Sequence, residues 1–431
     1  MNKKIISTVL LSFSGILFTT SAIIYALSKT SLTELGITLI SAFLFLALGM
    51  LGVPTLKKFT YTIWILIAVT AAMFFPEYLV SVGDFQLKNL IVPFVQITMF
   101  GMGSQMSFDD FKGVIKMPKG VIIGICCHFF AMPLVGFGLA HLFRFPSEIA
   151  AGVILIGTVS SAMASNVMSY ISRANLALAV TIGAFSTMLS PFVTPFLMKT
   201  LAGQYVEIDV IVMMIDITNM IIIPIVAGFI FNLFYFNIES MRAKIVQLIS
   251  FAIIIIVTNL ILMISQNSGF DGFITSFVRS MLLFYFLPMF AAILLRHYLK
   301  GNKPLIESVL AFIAMLGIIV NTTIITASGR DNLLQVGGLL IISCFIHNMT
   351  GFSLGYLVSW LFGMPEKDRR TIGFEVGMQN GGVATGIALE MGKIATVGLA
   401  STIFGPLQNI TGSILANWFR SKPVESDSVE S

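Results

Sequence analysis

Apolar residues run through this chain in long blocks, each close to the roughly 20 residues needed to cross the hydrocarbon core of a bilayer as a helix. Fourteen such blocks are present: 5–28, 36–54, 60–80, 89–106, 120–142, 149–171, 176–199, 210–234, 245–266, 274–295, 305–327, 334–361, 372–392 and 395–418. Short polar linkers separate them, leaving no room for a soluble domain. Only helices or closed barrels satisfy the backbone in lipid, and blocks this long are helical. The pattern predicts an all-α polytopic membrane protein with about 14 transmembrane helices.

Composition agrees. The 431 residues are 57% hydrophobic and 10% charged, where a soluble domain carries about 25% charged residues. The lipid bilayer is therefore an expected partner. The net charge of +5 is small, and no nucleic-acid partner is expected. Lys3 and Lys4 precede the first block, as they would in a signal peptide. That block reaches Leu27, long for the apolar core of a signal, and no clean small-x-small site follows, so a retained span is the better reading. Cys126, Cys127 and Cys344 lie inside apolar runs and read as small buried side chains, not as a disulfide or metal set.

Charge sets the direction. With the amino terminus in the cytoplasm and the spans alternating, 18 Lys and Arg fall on the cytoplasmic side and 7 on the other, together the 25 of the chain. This asymmetry follows the positive-inside rule. It predicts a multi-pass protein of the cell membrane with both termini cytoplasmic. The end, residues 421–431, reads as a disordered cytoplasmic tail.

The chain also repeats itself. His128, Gly136, Leu142, Phe143 and Pro146 recur as His347, Gly355, Leu361, Phe362 and Pro365, each at an offset of 219 residues. Asn166 precedes Pro191 by 25 residues, and Asn380 precedes Pro406 by 26. The unit holds seven spans, an odd number, so the second copy enters the membrane from the opposite side. Two inverted seven-helix repeats are expected, over 1–203 and 204–420, an arrangement found in many secondary transporters.

Two spans look interrupted, at matching places. The sixth contains Gly157-Thr-Val-Ser-Ser-Ala-Met-Ala-Ser-Asn166 and the thirteenth Glu375-Val-Gly-Met-Gln-Asn-Gly-Gly382. Unwound backbone at that depth survives only where protein, water or ions satisfy it. Glu375 is the most informative residue, because a carboxylate near the bilayer centre costs about 2.5–3.5 kcal/mol or more. A hard cation held by carboxylate, amide and carbonyl oxygens offsets that cost; a protonated or interfacial Glu375 is the other reading. Asp216, near Asn219, is a second intramembrane acid, either functional or at headgroup level. His128 and His347 read as proton carriers or as hydrogen-bonded packing residues. The Gly101-x-Gly103 and Gly136-x-Gly138 pairs read as helix packing. Asn348 and Asn409 belong to N-x-Thr triplets but lie within spans.

Several stretches resemble the bile acid:sodium symporter family. They are Met99-Phe-Gly-Met-Gly103, Gly152-Val-Ile-Leu-Ile-Gly157, Ala164-Ser-Asn-Val-Met-Ser-Tyr170, Glu375-Val-Gly-Met-Gln-Asn380, His347-Asn348 and Gln408-Asn-Ile-Thr-Gly-Ser413. The resemblance covers about residues 60–234 and 305–420. It implies ten helices in two inverted halves, broken helices crossing in the core, and sodium-driven import of organic anions, from bile salts to small carboxylates. The pairs at 5–54 and about 245–295 are additional to those ten.

By the same resemblance the sodium ligands are Ser165, Asn166, Glu375, Val376, Met378 and Gln379. His128 stands where the family has a Gln. Ala179 and Gly183 stand where it has two hydroxyl residues, and Ser160-Ser161-Ala162 replaces its Pro-Gly-Gly. Asn380, Asn409 and Gln408 fall at substrate positions. The departures put two-sodium coupling in question; one sodium, or a proton on His128 or Glu375, would serve. The expectation is a cation-coupled importer of a small organic anion working by alternating access, with no catalytic residues, no organic cofactor and no metal beyond sodium. A proton-coupled or uncoupled carrier and a cation/proton antiporter are the alternatives. An intramembrane enzyme would need a nucleophile and base set that the sequence lacks.

Overall fold

The computed structural model describes residues 3–27, 32–57, 60–106, 113–236, 241–266, 269–422 and 424. The helices are α1 (Lys3–Leu27), α2 (Leu32–Leu51), α3 (Thr60–Phe74), α4 (Ile91–Gln105) and α5 (Pro118–Leu142). Then come α6 (Ser147–Thr158), α7 (Ala164–Ile171) and α8 (Leu176–Leu197). Next are α9 (Val210–Tyr235), α10 (Met241–Gln266) and α11 (Asp271–Leu299); α9 and α11 each carry a π-turn. The last five are α12 (Lys303–Ser328), α13 (Arg330–Leu361), α14 (Glu366–Gly377), α15 (Gly381–Glu390) and α16 (Leu399–Arg420). Strand is confined, among the described residues, to a two-residue hairpin pairing Ser81–Val82 with Phe85–Gln86.

Every predicted block coincides with a helix, and the sixth and thirteenth with broken pairs, α6/α7 and α14/α15. Among the described residues nine helices are long and apolar enough to cross a bilayer by length and composition. Large apolar side chains such as Phe130, Phe192, Leu282 and Phe290 are exposed along them. Such faces suit lipid rather than water. Most of the predicted tail, 423 and 425–431, lies outside the described residues.

The helix packing is reciprocal. Helix α3 packs on α12, and α9 packs on α4. The additional pairs attach at equivalent places, α2 against α3 and α11 against α9. One pair precedes its anchor in the chain and the other follows it. Helix α1 is held by α2 through small residues, with Ser14 Oγ donating to Ala42 O at 2.8 Å and Ser7 Oγ to Gly49 O.

Close approach depends on glycine at α4/α9. A Cβ on Gly103 would fall 2.2 Å from Ile225 O, and one on Gly228 equally close to Phe100 O. Gly136 is likewise confined, 2.7 Å from Val153 O, whereas Gly138 faces open space, so packing accounts for only part of the paired glycines. Cys127 and Cys344 are buried, but Cys126 is exposed. The expectation of three buried cysteines fails there because consecutive residues of a helix point about 100° apart, and Cys126 falls on an outer face of α5.

Candidate ion and substrate site at the helix crossing

The helices break where their sequences favour breaking. Serine hydroxyls compete for backbone bonds at Ser160-Ser161, and glycine at 377, 381 and 382 is a poor helix former. Asn380 caps α15, its Oδ1 accepting from Val383 N at 3.3 Å. Side-chain caps of this kind are worth about 1 kcal/mol.

The two breaks cross antiparallel, with Ser161 opposite Gln379. Ala162 N donates to Met378 O at 3.1 Å and Asn380 N to Ser160 O at 2.8 Å. Backbone unpaired by one break is thus paired by the other, as a low-dielectric interior requires.

Side chains take up the remaining helix-end groups. His128, fully buried on α5, sets Nε2 2.8 Å from Val159 O and Nδ1 3.0 Å from Glu375 O. One ring therefore joins α6 to α14; a neutral imidazole donates to one of the two carbonyls. Val376 O accepts from Gln379 Nε2 at 2.7 Å, and Gly377 O from Asn348 Nδ2 at 2.8 Å. Gln408 on α16 grips Gln379 from both sides. Its Oε1 accepts from Gln379 N at 2.7 Å and its Nε2 donates to Gln379 O at 2.9 Å.

Glu375 is fully buried in the last turn of α14. Its Oε1 accepts from Ser165 Oγ, while Oε2 has no partner. Asn166 Oδ1, Gln379 Oε1, Ser160 Oγ and Ser169 Oγ are buried without partners as well. Native interiors rarely leave several buried polar oxygens unpaired along two crossing breaks. A cation accepting them as ligands is the simplest chemical complement.

Helix α8 closes this region. A Cβ on Gly183 would lie 3.7 Å from Glu375 Oε2, with nothing else inside 4 Å. The position without a hydroxyl therefore faces the unpaired carboxylate oxygen. Ser186, one turn on, accepts from Ser161 N at 3.3 Å.

A cavity of about 870 Å³, counting its open mouth, lies beside the crossing. Gln379, Asn380, Gln408 and Asn409 line it, with α4, α12 and α16 as further walls. None of its lining residues is ionisable. The first residue of α7, Ala164, and the first two of α15, Gly381 and Gly382, stand on its wall. Two helix N-termini, the positive ends of their dipoles, meet there.

The predicted site residues thus divide. Ser165, Glu375, Val376, Met378, Gln379 and His128 share one network. Asn166 adds a buried oxygen without a bond. Asn380 and Asn409 reach the cavity, and Gln408 lines it while already committed to Gln379. Asp216 lies elsewhere, half-buried in a second cavity with Glu207, Asp209 and Glu390. Sequence reasoning missed Ser186, Asn321 and Thr411 as site residues. The last donates to Asn348 Oδ1. Isolated polar residues in apolar runs were the available signal for them.

Charged contacts lock both ends of the crossing. Lys393 and Thr396, beyond α15, bond Glu148 at the start of α6. The Lys393 bond, with the Thr396 hydroxyl, holds the Glu148 carboxyl below its ordinary range. Arg370, buried near the start of α14, donates to Ser172 O at 3.3 Å, Phe419 O at 3.0 Å and Lys422 O at 2.7 Å. A cation there meets the C-terminal ends of α7 and α16, where helix dipoles favour it.

Known proteins resemble this chain in sequence and in fold. Residues 92–270 match the model of the Sodium Bile acid symporter family. The sodium-dependent transporter YocS of Bacillus subtilis (strain 168) is 29% identical over 84% of this chain and 91% of its own length. The probable sodium/metabolite cotransporter BASS1, chloroplastic, of Arabidopsis thaliana is 26% identical over 86% of this chain and 79% of its own. In fold, the chain is similar to the sodium proton antiporter MjNhaP1 of Methanocaldococcus jannaschii, with a TM-score of 0.50 at 13% identity, covering 91% of this chain and 99% of that one. Over residues 92–270 the chain is similar to the sodium bile acid symporter family.

Proposed function

We propose that this protein imports a small organic anion together with sodium, by alternating access. The observation that carries the reading is the crossing itself. Glu375 and several buried, unpartnered oxygens lie on the two broken spans, and beside the crossing lies a cavity that has no ionisable lining but two helix N-termini on its wall. The oxygens suit a cation, and the N-termini suit a carboxylate. Glu375, Ser165, Asn166 and Gln379, with carbonyls of Val376 and Met378, are the cation ligands in this proposal. Ser161 adds a hydroxyl oxygen. Asn380 and Asn409 contact the substrate. Gln408 acts by holding Gln379, and His128 by holding the two helix ends. Similarity to YocS, described as sodium-dependent, and to BASS1, a probable sodium/metabolite cotransporter, supports sodium as the driving ion.

The cation also supplies the electrical balance. Bringing one negative charge into an inside-negative cell costs about 2.3 kcal/mol per 100 mV. One sodium cancels that cost. The absence of hydroxyls at Ala179 and Gly183 favours a single sodium here. In this reading the halves 1–203 and 204–420 contribute one break each, and α5–α8 with α13–α16 move against α4 and α12.

The test is uptake of candidate carboxylates by the purified protein in proteoliposomes, with sodium or potassium outside, at two pH values. Glu375→Gln is expected to lower sodium-driven uptake by about 10- to 100-fold, matching the roughly 1.5–3 kcal/mol of a hydrogen bond to a charged group. Undiminished sodium-driven uptake by the variant would sink the cation site. Wild-type uptake that ignores sodium but follows the pH gradient would replace sodium with a proton.

A further inference from the structure

Asp216 and Asn219 have no part in the crossing, but they mark the place where α9 packs on α15. There α9 widens into a π-turn, Thr218–Ile222, with Ile223 N reaching Thr218 O five residues back. In that register the donor for Asn219 O would be Pro224, which has no N–H. Gln96 Nε2 of α4 supplies the bond instead, at 3.3 Å. Such turns are rare and frequently mark functional sites.

The turn carries Met220, 2% exposed, against α15. A Cβ on Gly386 would fall 1.9 Å from Met220 Sδ and 2.8 Å from its Cε. Glycine is a poor residue for a helix interior, so Gly386 serves this contact. The thioether is flexible and can leave the notch without moving its own helix. One turn along each helix, at 216 and 390, the two faces carry carboxylates. Asp216 and Glu390 line one cavity with Glu207 and Asp209, and none of its lining residues is basic. Like charges brought together disfavour one another.

In the transport reading these two helices belong to parts that move against each other, since α9 packs on α4 and α15 belongs to the crossing. We propose that the seam between them is a gate, held shut by Met220 seated over Gly386 and pushed open by repulsion between Asp216 and Glu390. The inference rests on the transport reading and gives alternating access a latch that is made and broken in each cycle. Opposed forces at one seam keep the open and shut states close in free energy, so that a ligand can shift them.

The experiment puts a cysteine on each side of the seam, Val212→Cys and Met391→Cys, both on the wall of the same cavity, in the full chain carrying Cys126→Ser. A short, reducible bis-thiol reagent links the pair in proteoliposomes, and mass spectrometry reads the rate of linking. Gly386→Leu, which fills the notch, should slow linking by about tenfold. Met220→Ala, which removes the knob and is the milder change, should slow it severalfold. Asp216→Asn, which removes the repulsion, should speed it severalfold. Linking should abolish sodium-driven uptake, and reduction should restore it. Unchanged rates in both notch variants, or full uptake by linked protein, overturns the gate. The linking rates need neither substrate nor ion gradient, so a chain that shows these rates but imports no tested anion would count against the transport reading alone.

Discussion

The two helix breaks occupy matching places yet contribute different chemistry. The first, between α6 and α7, supplies serine hydroxyls, and the backbone of the second pairs much of it. The second, between α14 and α15, carries the carboxylate and two consecutive amide side chains. Its carbonyls are capped by side chains from three other helices: His128 of α5, Asn348 of α13 and Gln408 of α16. An inverted repeat therefore needs symmetry only in its backbone. Once the two breaks satisfy each other, their side chains are free to diverge, one break offering neutral oxygens and the other the charge.

The strongest way to break this comparison is to remove a prop of the second break. Gln408→Leu leaves the N–H of Gln379 buried and unpaired, while its C=O keeps the Gly381 N–H at 2.9 Å. About 1–3 kcal/mol per orphaned group is expected, seen as a clear fall in melting temperature in detergent together with lost uptake. An unchanged melting temperature would mean that the second break does not depend on α16.

A gain on the other side sharpens the contrast. Gly183→Ser would aim a hydroxyl at Glu375 Oε2, where a Cβ has room. If the site holds sodium, the added oxygen should lower the sodium concentration for half-maximal uptake by severalfold, since a hydrogen bond or ligand of this type is worth about 0.5–1.5 kcal/mol. A raised sodium requirement would show that the position repels the ion.

The smallest effect concerns the lock between α6 and the segment after α15. The Glu148 carboxyl is held low by Lys393 and Thr396, so its contribution is present at neutral pH and is lost as pH falls through that lowered value. At 39% exposure for Glu148 and 33% for Lys393, the pair is worth only a few tenths of a kcal/mol. Melting curves from pH 7 to pH 3 should show Glu148→Gln slightly less stable than the wild type at pH 7 and converging with it in acid. A constant difference across that range would remove the ion pair as its cause.

Much of the fold was legible from sequence because lipid imposes one simple rule. A segment that must satisfy its own backbone and face hydrocarbon is long, helical and apolar, so each block in the sequence became a helix. The breaks were legible for the complementary reason. Ser160-Ser161 and Gly377 to Gly382 are out of place in such a run, and Glu375 more so. The attachment of the additional pairs was not legible. Helix α2 reaches α3 and α11 reaches α9 through apolar surfaces whose composition is the same as any lipid-facing surface.

The sequence by itself determined the number of apolar blocks, the repeat, and the residue types gathered at each break, because these depend on local pattern and length. Only the tertiary structure decided which groups meet. Gln408 grips Gln379, His128 joins Val159 to Glu375, Gly183 faces the free carboxylate oxygen, and Asn321 lines the cavity with its Oδ1 unbonded. Such pairings depend on distances between helices far apart in the chain. An amide that braces a backbone and one whose oxygen is left unbonded look alike until their neighbours are in place.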